Sequence, residues 1–163
     1  MKSSASLDWW AKILTAFMFG VVGFLIYEII MINEGKARIG LSFGVVTLTI
    51  VIIWCYMNSV KEYVVEGNSL IVQRVKGQKT FDLNALTSVE NYGEVKQGMT
   101  WRTMGNGGLF GYFGSFNNKG VGDFSMYATR QKPLWILTLG KEKIAISPDD
   151  ASFITALQEL VKA

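Results

Sequence analysis

Hydrophobic positions are distributed in two different ways along this chain. Over the first 58 residues they are nearly continuous: Ala11–Ile32 and Gly40–Met57 are apolar runs separated by the polar stretch Asn33–Ile39. Beyond Ser59 they alternate with polar residues in short stretches punctuated by glycine, asparagine and lysine. A helix needs roughly 20 apolar residues to cross the hydrocarbon core of a bilayer. The first pattern therefore predicts a transmembrane helical hairpin within residues 1–58, with helices over 11–32 and 40–57. The second predicts a β-rich domain over residues 59–163. A cleaved signal peptide fits less well. The first run exceeds the usual apolar region of about 7–15 residues, no A-x-A site follows it, and a second apolar run comes at once.

Within the second region, Val60–Glu66 reads as a strand, Gly67-Asn68 as a hairpin turn and Ser69–Val75 as the returning strand. Lys76–Gln78 turns again before Lys79–Leu83, and Leu86–Tyr92 follows as a fourth strand. Further strands are predicted over Gly122–Thr129, Leu134–Leu139 and Lys143–Ser147. The period then changes. Phe153, Ile154, Leu157, Leu160 and Val161 share one helical face, predicting a helix over about 148–162. Ser147 is its expected cap, Pro148 its first residue, and Asp149 and Asp150 lie at the positive end of its dipole. The class is α+β: a helical hairpin, then a strongly bent antiparallel sheet or barrel of about seven strands capped by the last helix.

Charge sharpens the division. Seven charged residues lie before Ser59 and twenty-two after it, and the net charge of +3 lacks the dense basic face of a nucleic-acid binder. Lys2, Lys12 and Lys61 flank the hairpin on the terminal side, against Lys36 and Arg38 in the connector, so both termini are expected in the cytoplasm. Trp9, Trp10, Trp54 and Tyr56 mark that same interface. Glu28 is about one turn from the end of the first run, close enough to reach headgroups. Gly40 and Gly44 have the spacing of a helix-packing pair.

Candidate chemistry is sparse. The chain has no histidine, a lone cysteine (Cys55), and no nucleophile or metal-ligand signature, so no catalytic, cofactor-binding or metal-binding residue and no cofactor are expected. A strand of seven residues leaving the membrane travels roughly 20 Å before Gly67-Asn68, and its partner returns the same distance. Lys61, Arg74, Lys76 and Lys79 thus become candidate lipid-facing residues, with a solvated hairpin edge as the alternative. Gly105–Gly114 satisfies no phosphate-loop pattern, and no formal charge occurs from Thr103 to Asn118. Arg102, Leu109, Phe110, Tyr112, Phe113 and Phe116 are a candidate interaction loop; the other reading has the aromatics packing inward around conformationally free glycines.

The strand order resembles a pleckstrin-homology (PH) domain. Arg102–Gly114, Gly122–Tyr127 and Ile146–Asp149 make residues from Val60 to Leu160 similar to the bacterial PH domain family, whose members often follow transmembrane helices. The resemblance implies a non-catalytic module at the bacterial cell membrane, acting by protein interaction or scaffolding, with homo-oligomerisation as a possible mode. The last helix lacks the tryptophan of eukaryotic PH domains, and Glu66-Gly-Asn68 lacks basic residues, which argues against phosphoinositide recognition. Two other readings stay open: a sensor of anionic lipid, and an accessory subunit of a larger membrane complex. The expected partners are membrane lipids and an unidentified protein, not nucleic acid.

Overall fold

The computed structural model describes residues 1–32 and 34–162. Asn33, in the expected connector, and Ala163, at the expected domain end, lie outside the described residues. Strand β1 (Lys2–Ser4) precedes helix α1 (Trp9–Met31), and helix α2 (Gly35–Asn58) follows it. Both helices start earlier than their apolar runs, so Trp9 and Trp10 lie inside α1, and Lys36 and Arg38 lie in the first turns of α2 rather than in a loop. The Arg38 guanidinium donates from Nε to the carbonyl of Ile29 at 3.1 Å, satisfying one of the free carbonyls at the end of α1. Asp8 caps α1 at the other end, accepting from the Ala11 N–H at 2.7 Å.

Both helices are long and apolar enough to cross a membrane. A core helix of comparable hydropathy would be buried by its own protein. Here Phe17, Phe24, Phe43 and Ile50 are all 60% exposed or more, and this surface needs a cover from outside the chain.

The remaining strands are β2 (Val60–Glu66), β3 (Ser69–Arg74), β4 (Gln78–Asp82), β5 (Leu86–Asn91), β6 (Thr100–Gly108), β7 (Gly111–Asn118), β8 (Gly122–Ala128), β9 (Trp135–Leu139) and β10 (Glu142–Ile146). A short helix α3 (Tyr92–Val95) follows β5, and α4 (Ala151–Lys162) ends the described chain. The strands form two sheets, ordered β1-β2-β3-β4 and β5-β9-β10-β8-β7-β6, rather than one closed barrel. Pairing is antiparallel except between β8 and β10, where Ile144 lies opposite Ser125. The reason is connectivity: β8 crosses over to β9, and the tight β9–β10 hairpin brings β10 back alongside β8.

The main core joins the two sheets under α4. Tyr63, Leu70, Val72, Leu137, Ile144 and Phe153 are essentially inaccessible. The Tyr63 hydroxyl donates to the Tyr127 carbonyl at 2.7 Å and accepts from the Ser147 N–H at 3.1 Å, so its burial leaves no polar atom unpaired. Burial pushes this phenol up to about 12, against smaller opposing effects from the Ser147 hydrogen bonds and Arg130.

Three local expectations change. Glycine-rich residues 105–114 form a strand hairpin rather than a loop, which raises the strand count above seven. Gly105 pairs with Gly114 at φ +117° and +120°, and a Cβ on either would lie 2.2 Å from a carbonyl oxygen of the opposite strand. The glycines are therefore required for two strands to cross closely, not for looseness. Helix α4 begins at Ala151, and Asp150 caps it by accepting from the Ser152 N–H at 2.9 Å. Ser147 is instead fully buried, accepting at 2.9 Å from the Thr129 N–H, and Leu160 is half exposed rather than on the buried face.

Candidate functional site at the helix–sheet junction

The hairpin β6–β7 carries the chain's least expected contact. Its tip, Leu109-Phe110, lies against both long helices. Leu109 and Phe113 are buried in one cluster with Ile52 and Cys55 of α2, and Met18, Val22 and Leu48 pack around it. The Phe110 ring meets Tyr56 edge-on at a centroid distance of 5.3 Å and Phe19 at 6.3 Å, while Phe113 meets Trp54 at 5.5 Å. At 1.5 Å rise per residue, Thr15 and Phe19 lie about 9 and 15 Å along α1 from Trp9. The tip therefore reaches well past the first turn of α1.

Strand alternation divides this hairpin's side chains between two surfaces. Leu109 and Phe113 face the helices, whereas Tyr112 and Phe116 join the core around Tyr92, Phe124 and Met126. Arg102 reaches along its own strand β6, with Nη1 2.7 Å from where a Cβ on Gly107 would lie. The six residues proposed as one loop thus serve two faces of a rigid hairpin.

Backbone groups at the tip are accounted for internally. The Asn106 side-chain amide donates to the carbonyls of Leu109 and Gly111, the latter at 2.8 Å. Its carbonyl oxygen accepts from the Leu109 N–H at 3.3 Å. The Phe110 N–H donates to the Thr15 hydroxyl of α1 at 3.2 Å. Phe110 itself has φ +56°, an uncommon conformation for an aromatic residue, held here by the surrounding rings.

The segment before α1 is stitched to the sheets as firmly. Strand β1 pairs with β2, placing Lys2 opposite Val64. Asp149 accepts from the Ser4 hydroxyl at 2.7 Å and from the Ser6 hydroxyl at 2.6 Å, and it forms an ion pair with Arg130. Burial pushes the Asp149 carboxyl up, but the Ser6 and Ser4 hydrogen bonds and the Arg130 guanidinium outweigh it and hold the group below the usual range. Asp8 accepts from the Tyr112 hydroxyl at 3.2 Å and from the Gln131 N–H at 3.3 Å. Burial, then the Asp8 charge and hydrogen bond, push the Tyr112 phenol up to about 12.

On the α2 side the linker is a single residue, Ser59. The β3–β4 turn folds back onto it: the Lys76 N–H donates to the Met57 carbonyl at 2.9 Å, and the Val75 N–H to the Ser59 carbonyl at 3.0 Å. Arg74 donates from Nη1 to Asn58 at 3.1 Å. Lys61, Arg74 and Lys76 are thereby brought to the end of α2. Lys79 is further along β4, opposite Val72. Lys61 faces outward at a strand irregularity and shares a groove with Lys12, Tyr56 and Phe110. Gly40 and Gly44 take no part in this junction, since nothing in the described residues lies within 4 Å of a Cβ added at either.

No motif signalled β1 or the strap it forms, because its partner is about sixty residues away in sequence. The one legible sign at the tip was the charge-free aromatic stretch, which is what such a buried contact requires. Comparison with curated proteins and with solved structures gives no match. Residues 61–161 match the Bacterial PH domain family, a span that runs from the start of β2 nearly to the end of α4. The chain belongs to that bacterial PH domain family, with two long apolar helices set before the matched region.

Proposed function

We propose that this chain is a non-catalytic, membrane-anchored PH module that holds its sheets in a fixed pose at a bilayer surface, as a scaffold for interaction with another protein there. The docking of Leu109, Phe110 and Phe113 on both long helices carries this reading. Helices α1 and α2 cross the bilayer, with Trp9, Trp10, Trp54 and Tyr56 at one interface. The hairpin tip then lies at or below headgroup depth. Non-helical backbone survives there only when its polar groups are paired within protein, and Asn106 and Thr15 supply that pairing. Both termini belong on the cytoplasmic side, the side of Lys2, Lys12, Lys61 and Lys76.

Short-reach thiol cross-linking of the full chain in lipid nanodiscs tests the pose. In a Cys55→Ala background, Thr15→Cys with Phe110→Cys should cross-link efficiently. Thr15→Cys with Glu66→Cys, at the far end of β2, should not. Equal yields for the two pairs would mean a loosely tethered domain and would sink the proposal.

A second reading, contact with anionic lipid, is favoured by the two main-chain hydrogen bonds that hold the Arg74–Lys76 turn at the end of α2. Each basic residue near an anionic surface contributes about 1 kcal/mol. Lys61→Gln, Lys76→Gln and Lys79→Gln together should reduce the preference of brominated phosphatidylglycerol over brominated phosphatidylcholine in quenching tryptophan fluorescence. An unchanged preference excludes this turn as the lipid contact.

A further inference from the structure

A second cavity, unrelated to the basic turn, opens on the other face of the β6–β7 hairpin. It encloses about 610 Å³ between α3, the strands β6 to β8 and the β8–β9 connection, a size usual for small-ligand sites. Its floor is apolar: Tyr92, Phe116, Met126 and Leu134 are each less than a tenth exposed. Its charged lining groups are all cationic, namely Lys96, Arg102 and Lys132.

None of these three cations makes a side-chain hydrogen bond or ion pair among the described residues, where the ion pairs are Lys2–Glu62 and Arg130–Asp149. Arg102 is placed by a local device. Its Nη1 lies 2.7 Å from where a Cβ on Gly107 would be, so the missing side chain leaves room for the head further along the same strand at the cavity wall. Gly107 is not at positive φ, so backbone conformation does not account for a glycine there.

The rim meets the start of α1. Tyr112 and Gln131 line the cavity and both bond to Asp8, the residue that caps that helix. The Asp8 carboxylate is occupied by these groups and by the Ala11 N–H. Gly108, next to the lining residue Gly107, packs on Leu14 of α1. An opening with an apolar floor and unpaired cations, beside the point where α1 enters the bilayer, matches one chemistry: a phosphate group carried on an apolar body.

We propose that this cavity binds an anionic phospholipid, with the phosphate held by Lys96, Arg102 and Lys132 and the glycerol-proximal chain lying on Tyr92 and Phe116. The inference rests on the membrane placement proposed above. It does not rest on the basic turn, which lies at the end of α2.

The test is native mass spectrometry of the full chain released from nonionic detergent, with phosphatidylglycerol, phosphatidylcholine or inorganic phosphate added. The chain should retain phosphatidylglycerol in preference to phosphatidylcholine. The triple variant Lys96→Gln, Arg102→Gln, Lys132→Gln should lower that retention at least tenfold. All three side chains are exposed, so folding should survive, and an unchanged circular-dichroism melt verifies it. Gly107→Ala, which displaces the Arg102 head, should weaken retention severalfold.

The variant Lys119→Gln, Lys141→Gln, at exposed cations outside both the cavity and the basic turn, should retain lipid as the unmodified chain does. Retention by the cavity variant, with loss in the basic-turn variant Lys61→Gln, Lys76→Gln, Lys79→Gln, would overturn the cavity assignment while leaving the lipid-contact reading standing. Displacement of phosphatidylglycerol by millimolar inorganic phosphate would overturn the lipid as the source of the phosphate. Equal retention of phosphatidylcholine would overturn the role of the anion altogether.

Discussion

Asn106→Ala isolates the contact on which the proposed membrane pose depends. The side chain makes three hydrogen bonds to the tip backbone: to the carbonyls of Leu109 and Gly111, and from the Leu109 N–H. Alanine removes all three and leaves the backbone groups in place, against the apolar cluster of Ile52, Cys55 and Phe113. An orphaned buried polar group costs about 1–3 kcal/mol. The site is only partly buried, so each group is taken at the low end, about 1 kcal/mol, for a total of about 3 kcal/mol. At 1.4 kcal/mol per decade this is roughly a hundredfold rise in local opening. Amide hydrogen exchange of the full chain in nanodiscs should then show residues 106–111 exchanging about two orders of magnitude faster, with β9 and β10 unchanged. Asn117→Ala is the control. It lies on the same hairpin but bonds Asp123 in an exposed position, and it should change stability by less than about 0.5 kcal/mol. If Asn106→Ala exchanges as the unmodified chain does, water reaches the tip freely and the hairpin is not embedded.

Other consequences are sharper in pH or in sterics. The Asp149 carboxyl is held low by its partners, so the stability it contributes is full above the unfolded carboxylate pKa and disappears as pH falls through the lower folded value. Thermal melts should show an acid loss that Asp149→Asn flattens, with exchange in β1 rising first. Tyr63 and Tyr112 move the other way, from 10.0 to about 12. Their contribution is full below pH 10 and is lost as pH rises toward 12, so Tyr63→Phe should remove part of the alkaline transition seen by tyrosinate absorbance, while destabilising the fold at neutral pH by about 2 kcal/mol because Ser147 N–H and the Tyr127 carbonyl lose their partner. Gly114→Ala should cost at least about 2 kcal/mol, since positive φ and a 2.2 Å clash with the Met104 carbonyl act together; a melt within about 0.5 kcal/mol of the unmodified chain would show that the hairpin crosses elsewhere.

Much of the architecture is readable from local pattern. Strands β2 to β5 and β8 to β10 announce themselves through alternation and turn residues, and the amphipathic face of α4 through Phe153, Ile154 and Leu157. The failures share a cause, which is that the deciding partner is distant. Ser147-Pro-Asp reads locally as a helix start, yet the Ser147 hydroxyl is committed to Thr129 on the chain before β9. Strand β1 has three residues and no apolar alternation, and only β2 makes it a strand. Glycines usually punctuate loops, but Gly105 and Gly114 are selected by each other across the hairpin. The cavity escapes for the same reason. Lys96, Arg102 and Lys132 come from three separate segments and no spacing rule relates them, although Arg102, Tyr112 and Phe116 are individually legible as members of the candidate interaction loop.

The connection between helices and sheets decides what kind of anchor this is. A flexible tether raises the effective concentration of its domain without orienting it, and the gain depends on linker length. Here Ser59 alone separates α2 from β2, its N–H donating to the Tyr56 carbonyl at 3.1 Å, and the strand before α1 pairs with the strand after α2. The helical hairpin is thus inserted between two neighbouring strands of one sheet. Tilting the sheets on the helices would break the β1–β2 ladder, the Asp149 and Asp8 bonds, and the Leu109–Phe113 contacts together. These share residues and elements, so their losses would be coupled rather than independent. A module built this way contributes orientation: the helices set the angles at which the β3–β4 turn and the cavity rim are presented. Any partner that alters the packing of α1 on α2 also presses on the hairpin whose opposite face lines the cavity.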